Sequence, residues 1–525
     1  MQVGILSATL LGVDAIPVQV EVDISGGLPS FATVGLAEAA VREARVRVQS
    51  ALTNARCPFP AGRITVNLAP ADLKKVGTGF DLPIALGILL AQKALPANCL
   101  HDALVIGELS LSGEVRPIRG VLAAMEAAKR VGKTKAFVPE ANAAEAALVE
   151  GIEVCGVPSF QAVLAHLKGD KRAQLPATQP MAQTCPPHPL DLADVKGQHL
   201  ARRALEVAAA GGHNLLLIGG PGAGKSMLAN RLPSILPPLT HQEALEVTRV
   251  HSIAGLNLGR GLIQHRPFRA PHHSTTPPGL AGGGSGMPRP GELSLAHRGV
   301  LFLDELPEFT RSTLEVLRQP MESGEVILSR AFGTLRYPGR VQLVAAMNPC
   351  PCGHLGNPKK RCKCSAFDVA RYQGRVSGPL LDRIDMHVHV RPVEVTSLES
   401  KERGESSVEV KKRVQRARVL QENRLGLGAT NATMSHQAIE EHAALCDAGK
   451  RVLARAMEVL GLSARAYDRI RRVARTLADL QASPKIQAGH VAEALQYRSL
   501  DENLSPSAQA AGGSSFRRIS VNRAA

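Results

Sequence analysis

The stretch that most constrains the fold runs from Leu215 to Ser226 and reads LLLIGGPGAGKS. Its four leading apolar residues predict a buried strand, and Gly219, Gly224, Lys225 and Ser226 then follow at the G-x-x-x-x-G-K-S spacing of a Walker A loop. A chance glycine-rich turn is the alternative, but the preceding strand and the following helical pattern argue against it. The backbone of such a loop cradles phosphates, the lysine meets the β- and γ-phosphates, and the serine binds Mg²⁺. The predicted nucleotide ligands are Gly219, Gly220, Pro221, Gly222, Ala223, Gly224, Lys225, Ser226 and Met227.

A second motif completes the first. The stretch GVLFLDE places four apolar residues, Val300 to Leu303, before Asp304 and Glu305, which indicates a second buried strand ending in two acids. Two acids at a strand end also occur by chance, but here they follow a Walker A loop. We therefore predict a Walker B motif in which Asp304 and Ser226 hold Mg²⁺ and Glu305 polarises the attacking water, so that the chain is an ATPase.

The region after this motif predicts a hairpin and a third buried strand. Asn348 stands at the tip of the strand VQLVAAM and fits a sensor of the γ-phosphate. Before it, Glu325 to Gly339 contains two short β-prone runs, which predict a hairpin. Arg330 and Arg336 on this hairpin are candidate nucleic-acid contacts, and an ordinary exposed hairpin is the alternative.

Four of the nine cysteines cluster as two C-x-C pairs. Thiolates so arranged can surround Zn²⁺ tetrahedrally, although free thiols remain the alternative because the spacing differs from the common C-x₂-C. Lys359 and Lys360 lie inside this cysteine knuckle, at 350–364, and would face phosphate if the loop meets DNA. The predicted zinc ligands are Cys350, Cys352, Cys362 and Cys364.

Charge and hydropathy narrow the class of protein. Lys and Arg number 62 against 46 Asp and Glu, giving a net charge of +16, which favours a polyanionic partner. The longest apolar run, from Leu82 to Ala91, is too short to cross a bilayer, and the first residues lack the basic region of a signal peptide. We therefore expect a cytoplasmic protein without a membrane partner.

The flanking regions have different patterns. Residues 1–168 alternate strand and helix signals and predict an α+β domain, while 169–190 are rich in Pro, Ala, Gln and Thr and predict a linker. The ATPase core is expected at 191–394, and its segment from Thr248 to Gly291 is rich in Gly, Pro, His and Arg and reads as long and irregular. Residues 395–500 predict a helical lid, and 501–525 predict a flexible basic tail.

Two further arginines are singled out by their surroundings. Arg383 stands in SGPLLDRIDMHV between apolar residues that would fix its backbone, so its guanidinium could reach the γ-phosphate of a neighbouring subunit. Arg465 opens a helical stretch with apolar residues along one face. The paired His272 and His273 suggest a metal site, but without nearby carboxylates or thiols in the sequence a polar loop is the better interpretation.

The front domain resembles that of Lon proteases and the second domain of ribosomal protein S5. The matching stretches are KKVGTGFDLPIALGILLA, VIGELSLSGEVRPIRGVLAAMEAAKRVG and FVPEAN. Laid over the protease motif, Gly79 stands in place of the catalytic serine and Ala124 in place of the lysine. Neither can attack a carbonyl or accept a proton, so the resemblance implies a catalytically inactive module.

The motifs together resemble the YifB/ComM family of magnesium-chelatase-like AAA+ proteins, on DVKGQ, RPFRAPHHS, LRQPMESGEV, AAMNPCPCG and GPLLDRIDMHV. The core is also similar to MCM helicases. The resemblance implies a hexameric ring with Arg383 as arginine finger, Arg465 as second sensor and Arg330 as a DNA-contacting hairpin residue. It further implies a branch-migration helicase that acts in integrating transforming DNA.

Two other functions compete with this DNA motor. A chelatase-type motor that remodels a protein partner fits the ATPase motifs equally well, but the basic charge and cysteine knuckle do not favour it. An ATP-dependent protease would need a nucleophile other than the residues at the positions of Gly79 and Ala124.

Overall fold

Two large sheets, three two-stranded hairpins and a C-terminal group of helices are present in the computed structural model of the chain. The structure describes residues 3–179, 188–257, 261–284, 287–330, 333–357, 360–393 and 403–498. Within these ranges, no helix has both the length and the apolar character required to span a membrane.

The first sheet has seven strands, and the second strand along the chain follows the period-two pattern of the sequence. Val18, Val20 and Val22 are fully buried on one face of their strand. The strands of this region, including a small separate hairpin (β6 and β7), are β1 (Val3–Leu11), β2 (Asp14–Ser25), β3 (Ser30–Val34), β4 (Arg63–Ala69), β5 (Ala103–Val105), β6 (Glu108–Leu109), β7 (Val115–Arg116), β8 (Lys135–Pro139) and β9 (Glu153–Val157). The sheet order is β3-β4-β2-β1-β5-β8-β9, with β1–β2 and β2–β4 antiparallel and the other pairs parallel.

Six helices accompany this sheet, so the region is α+β as predicted. They are α1 (Ala39–Arg42), α2 (Ala44–Asn54), α3 (Asp81–Ala91), α4 (Val121–Arg130), α5 (Glu140–Ala146) and α6 (Phe160–Leu167). The predicted linker begins in contact with this sheet, because the Thr178 N–H donates to the Val154 carbonyl at 2.8 Å and Leu175 packs against the core. Its residues 180–187 lie outside the described residues.

The second sheet is parallel, and both of its faces are covered. Its strands therefore read as continuous apolar runs, and all four residues of Leu215–Ile218 are buried. The strands of this region are β10 (Leu215–Ile218), β11 (Phe268–Arg269), β12 (Gly282–Gly283), β13 (Arg289–Pro290), β14 (Val300–Leu303), β15 (Glu325–Arg330), β16 (Gly333–Pro338), β17 (Gln342–Met347) and β18 (Met386–His389). The five-stranded order is β11-β14-β17-β10-β18, and β12–β13 and β15–β16 form separate hairpins.

The helices of the second region surround this sheet, and five more follow it. The former are α7 (His199–Gly211), α8 (Lys225–Ala229), α9 (Leu232–Ile235), α10 (His241–Ala254), α11 (Pro277–Ala281), α12 (Glu292–Leu295), α13 (Arg311–Glu315), α14 (Arg318–Ser323), α15 (Ala366–Gln373) and α16 (Gly378–Leu381). The latter are α17 (Ser407–Leu425), α18 (His436–His442), α19 (Asp447–Leu460), α20 (Ala464–Leu480) and α21 (Ala488–Gln496). The predicted fold class is confirmed. The chain has an α/β core of the nucleotide-binding type, an α+β region before it and helices after it.

Two local predictions have different outcomes. The hairpin predicted between Glu325 and Gly339 is confirmed by the antiparallel β15–β16 pair. The prediction of a long irregular segment from Thr248 to Gly291 was wrong at its start, because α10 continues to Ala254. Val250 and Ile253 are buried on that helix at a spacing of three residues, which is a helical signal. The predicted basic tail lies outside the described residues.

The two sheets are connected through α4 and α10. Arg249 on α10 lies 3.1 Å from a Glu126 carboxylate oxygen and 3.5 Å from Asp14, and the Gly120 N–H donates to the Ser252 carbonyl at 3.2 Å. The β1–β2 turn at Gly12 also lies against Leu335 of β16. The first domain therefore contacts both α10 and the β15–β16 hairpin of the second region.

Glu145, on α5, makes the stability of this first domain depend on pH in a way that can be tested. Burial raises the pKa of Glu145 from 4.5 to about 7. The folded protein therefore holds this proton more tightly than the unfolded chain, and stability is lost as the pH rises from about 4.5 to about 7, by at most about 3 kcal/mol. Glu145→Gln removes that loss and is expected to raise the unfolding temperature at pH 8 by several degrees. Thermal denaturation at pH 5 and pH 8 measures the difference.

The matched control is Glu140→Gln, an exposed position on the same helix, which should leave the pH profile of unfolding unchanged. Parallel profiles for Glu145→Gln and the wild type would show that Glu145 does not titrate in this range.

Candidate nucleotide site and nucleic-acid interface

The predicted Walker A loop joins the end of β10 to the start of α8. Gly222 and Gly224 have φ values of +73° and +88°, a left-handed conformation that favours glycine. These two turns lead the chain directly into the first residues of α8, Lys225 and Ser226. The local sequence therefore folds as the cradle that its spacing predicts.

Lys225 is directed back into this loop. Its ammonium donates to the carbonyl oxygens of Gly219 at 2.6 Å and Gly220 at 3.1 Å, and to the amide oxygen of Asn348 at 3.1 Å. Burial lowers the pKa of Lys225, and the charges of Asp304 and Glu305 oppose that shift. The structure thus brings the predicted lysine and the predicted sensor into direct contact.

The predicted Mg²⁺ ligands, which follow two different strands of the sheet, also meet. The Ser226 hydroxyl donates to Asp304 Oδ2 at 2.6 Å, and the Glu305 N–H donates to Asp304 Oδ1 at 2.9 Å. A hydroxyl beside a carboxylate is an all-oxygen donor set of the kind Mg²⁺ prefers. The cavity here has a volume of about 420 Å³ and is lined by Pro221, Gly222, Ala223, Gly224, Lys225, Ser226, Met227, Asp304, Glu305, Met347 and Asn348.

One neighbour of the predicted catalytic acid escaped the sequence analysis. His273 Nδ1 lies 3.2 Å from Glu305 Oε2, and the His273 ring meets that of Phe309 edge to face. The sequence around this histidine indicates only a polar loop. Because β11 pairs with β14, the loop after β11 emerges beside the Walker B acids. The order of strands in the sheet, which local spacing does not reveal, was the missing information.

Arg383 lies at the opposite end of the sheet from the Walker A loop. Its carbonyl accepts from Asn214 Nδ2 at 3.1 Å, just before β10 and β18 begin, whereas the loop follows the far end of β10. Four paired residues of parallel strand separate the two ends, a distance of about 13 Å. Its guanidinium donates to the Pro379 carbonyl at 2.6 Å and pairs with Glu322. Arg383 therefore points away from the nucleotide cavity of its own chain.

Arg465 lies at the same end of the molecule. It is on the first turn of α20, its side chain is 72% exposed, and its guanidinium is 4.0 Å from a carboxylate oxygen of Asp382. The structure thus groups Arg465 with Arg383 rather than with Lys225.

The two hairpins of the core lie side by side. Gly282 and Gly283 of β12 lie against Leu328 and Arg330 of β15. Arg330 is exposed at the end of its strand, and Arg336 is 69% exposed with an ion pair to Glu325 at 3.2 Å. Exposed Arg289 on β13 adds a basic side chain that the sequence analysis did not single out. The hairpins therefore present arginines from two separate segments.

The four predicted zinc ligands come together across the nine residues that separate their two pairs. Cys350 Sγ lies 3.4 Å from Cys352 Sγ and 3.6 Å from Cys362 Sγ, and all four sulfurs lie within 4.8 Å of one another. Hydrogen bonds from the backbone N–H groups of Lys363 and His354 lower the pKa of the Cys352 thiol to about 6, which favours the thiolate that metals bind. Lys360 is exposed beside this cluster, and Lys359 lies outside the described residues.

The positions matched to the protease dyad carry no reactive group. A side-chain carbon at Gly79 would lie 3.0 Å from Ile106, and Ala124 is buried on α4. The structure therefore offers neither a hydroxyl nor an amine at these two places.

Comparison with protein families gives three matches that follow the chain. Residues 191–398 match the model of magnesium chelatase, subunit ChlI. Residues 20–142 match subunit ChlI of Mg-chelatase, and 404–498 match the ChlI C-terminal model.

Individual relatives match over nearly the whole length. The competence protein ComM of Haemophilus influenzae is 46% identical over 94% of this chain and 97% of its own length. The YifB protein of Salmonella typhimurium is 45% identical over 94% of this chain and 96% of its own. Lon protease 2 of Bacillus subtilis is 35% identical over only 18% of this chain and 17% of its own length.

Proposed function

The chain belongs to the YifB/ComM family of magnesium-chelatase-like AAA+ ATPases, and on that premise we propose that it is a DNA motor that assembles as a hexamer in the cytoplasm. Its task would be branch migration during recombination or the integration of transforming DNA, in keeping with the competence relative. One observation carries the proposal. Both arginine-bearing hairpins lie in segments that lead directly to the nucleotide site, one after His273 and one before Asn348.

The residues of the site divide the ATPase work. Bound ATP and Mg²⁺ would supply the phosphoryl group and neutralise its charge, with Lys225, Ser226 and Asp304 holding them. Glu305 accepts a proton from the attacking water, and Asn348 orients the lysine and senses the terminal phosphate. Arg383 and Arg465 face the next subunit of the ring, where their charge stabilises the transition state.

Movement at the nucleotide site would reach DNA through the hairpins. A shift in the position of His273 is carried along α11 to the β12–β13 hairpin. A shift in the position of Asn348 is carried along β17 to the β15–β16 hairpin. Because the arginines contact phosphates rather than base edges, binding should be strongly salt-dependent and nearly independent of sequence.

Two observations bear on the competing functions. The chelatase family match keeps a protein-remodelling motor as a second candidate. The short match to Lon proteases would support a protease, but Gly79 and Ala124 cannot supply its dyad.

ATPase and strand-displacement assays on fork, four-way and three-strand DNA substrates test the proposal. We expect hydrolysis to be stimulated by branched DNA and strands to be displaced only with ATP. Hydrolysis that ignores every DNA structure would favour the remodelling motor, and ATP-dependent cleavage of casein would favour the protease.

Hairpin arginines provide a more specific test. The double variant Arg330→Ala and Arg336→Ala is expected to weaken single-stranded DNA binding similarly for all sequences, and to reduce the slope of log affinity against log salt by about one or two. Fluorescence anisotropy across a salt series measures both effects. The control is Arg318→Ala, a half-buried arginine on α14 that pairs with Glu315 outside the hairpins. Equal losses in the control would argue against a hairpin interface.

We further propose that the cysteine cluster binds Zn²⁺. Four sulfurs within 4.8 Å of one another fit the tetrahedral thiolate set of a structural zinc site. With zinc in place, exposed Lys360 would extend the basic surface toward DNA phosphates.

A further inference from the structure

The cysteine cluster lies directly against the Walker A loop. A side-chain carbon at Gly220 would be only 2.9 Å from the Gly353 carbonyl oxygen, and one at Gly353 would be 2.5 Å from the Pro221 ring. Gly353 itself has a φ of +77°. Backbone therefore packs on backbone at this point, which only residues without a side chain permit.

This contact limits which residue can stand at position 220 of the Walker A loop. In the structure a larger residue at 220 would force the loop carrying Cys350 and Cys352 to shift. Each of the two loops thus has a glycine where it meets the other, although the loops are far apart in the chain.

The cysteine loop also continues directly from the nucleotide sensor. Asn348, which contacts Lys225, is followed after one residue by Cys350, whose side chain is fully buried. Nucleotide site and cysteine cluster are therefore joined twice, through the chain from Asn348 and through the packing of Gly353 on Gly220.

The shape of the cysteine loop depends on its sulfurs. Residues 350–357 and 360–365, the described part of this segment, contain no helix or strand. Within it, the Leu355 N–H donates to Cys350 Sγ at 3.3 Å and the Gly353 N–H donates to the Cys350 carbonyl at 2.9 Å. A metal ion bound by all four thiolates would fix this segment, and its loss would release the segment.

From this geometry we propose that metal bound to the four cysteines controls nucleotide affinity, by fixing the wall against which the Walker A loop and Asn348 are held. The proposal rests on the zinc site proposed above. Because coupling between two ligands is reciprocal, bound nucleotide must also strengthen metal binding by the same factor. Couplings between sites are commonly 5- to 150-fold, and we expect about tenfold here.

The test uses the full-length protein without DNA. Zinc content is measured by elemental analysis. The affinity for a fluorescent ADP analogue is measured in three states: before zinc removal, after removal by a chelator that is then dialysed away, and after zinc is restored. The same concentration of Mg²⁺ is added in every state. We expect affinity to fall about tenfold and to recover. ADP should also slow zinc release from the untreated protein, which requires no variant.

Two variants separate the contact from the metal. Gly220→Ala leaves every cysteine in place, so it should keep its zinc while its nucleotide affinity falls and no longer depends on zinc. The control for general thiol effects is Cys99→Ser, which removes a free thiol of the first domain. This variant should behave as wild type.

The possible failures are distinguishable. Protein purified without any zinc and unable to take it up would overturn the metal site and the coupling together. Stoichiometric zinc whose removal leaves ADP affinity unchanged would overturn the coupling alone. Neither result bears on the DNA motor, whose failure would appear as absent strand displacement by zinc-loaded protein.

Discussion

Glutamine in place of Glu305 is expected to lower kcat for ATP hydrolysis by about 10²- to 10⁴-fold, the usual contribution of a general base. Its carboxylate lies at the rim of the nucleotide cavity, next to the Asp304 that meets Ser226. The amide has nearly the same shape but cannot take a proton from water. A coupled-enzyme assay measures hydrolysis, and binding of a fluorescent ATP analogue should stay within about threefold of wild type.

Two comparisons define what this loss means. Lys225→Ala should lose binding as well as hydrolysis, because the ammonium is a phosphate ligand. Glu308→Gln changes a nearby acid that pairs with Arg375 at 3.0 Å on the surface, and should leave hydrolysis nearly unchanged. If Glu305→Gln still hydrolysed ATP at more than half the wild-type rate, another residue would have to polarise the water.

The nucleotide site was predictable because each of its parts is a short motif at a strand end. Apolar runs predicted β10, β14 and β17, and parallel strands present their carboxyl ends at one edge of a sheet. The contacts of Lys225 with Asn348 and of Ser226 with Asp304 follow from that rule. The cysteine cluster was likewise visible in the sequence.

Contacts that depend on strand order or loop packing were not predictable. His273 reaches Glu305 only because β11 pairs with β14, and Gly220 touches Gly353 across a gap in sequence longer than a hundred residues. No local periodicity encodes such neighbours. The first domain gave a similar result: its alternation of strands and helices was evident, but the packing of α4 on α10 depends on the relative orientation of the two sheets.

Arg383→Ala is expected to reduce ATP hydrolysis by about 10³-fold or more in the assembled protein, the effect of losing an arginine finger. The side chain is only 14% exposed and pairs with Glu322, so its orientation is already restricted before any partner subunit arrives. Arg383→Lys keeps the charge but loses the planar fork, and should also be strongly impaired. Glu322→Gln separates the local ion pair from the role at the interface, since breaking the pair alone should cost far less. Nucleotide binding to each variant is measured alongside hydrolysis.

Mixing two inactive proteins distinguishes action within one chain from action on its neighbour. Lys225→Ala protomers retain Arg383, and Arg383→Ala protomers retain Lys225, so a mixed ring contains interfaces with both residues intact. Random mixing in equal amounts makes roughly a quarter of the interfaces complete. Hydrolysis should therefore reappear in the mixture although each protein alone is inactive. About 13 Å of strand separates Arg383 from the Walker A loop of its own chain. If the mixture stayed inactive while the subunits demonstrably exchanged, Arg383 would have to act in some other way.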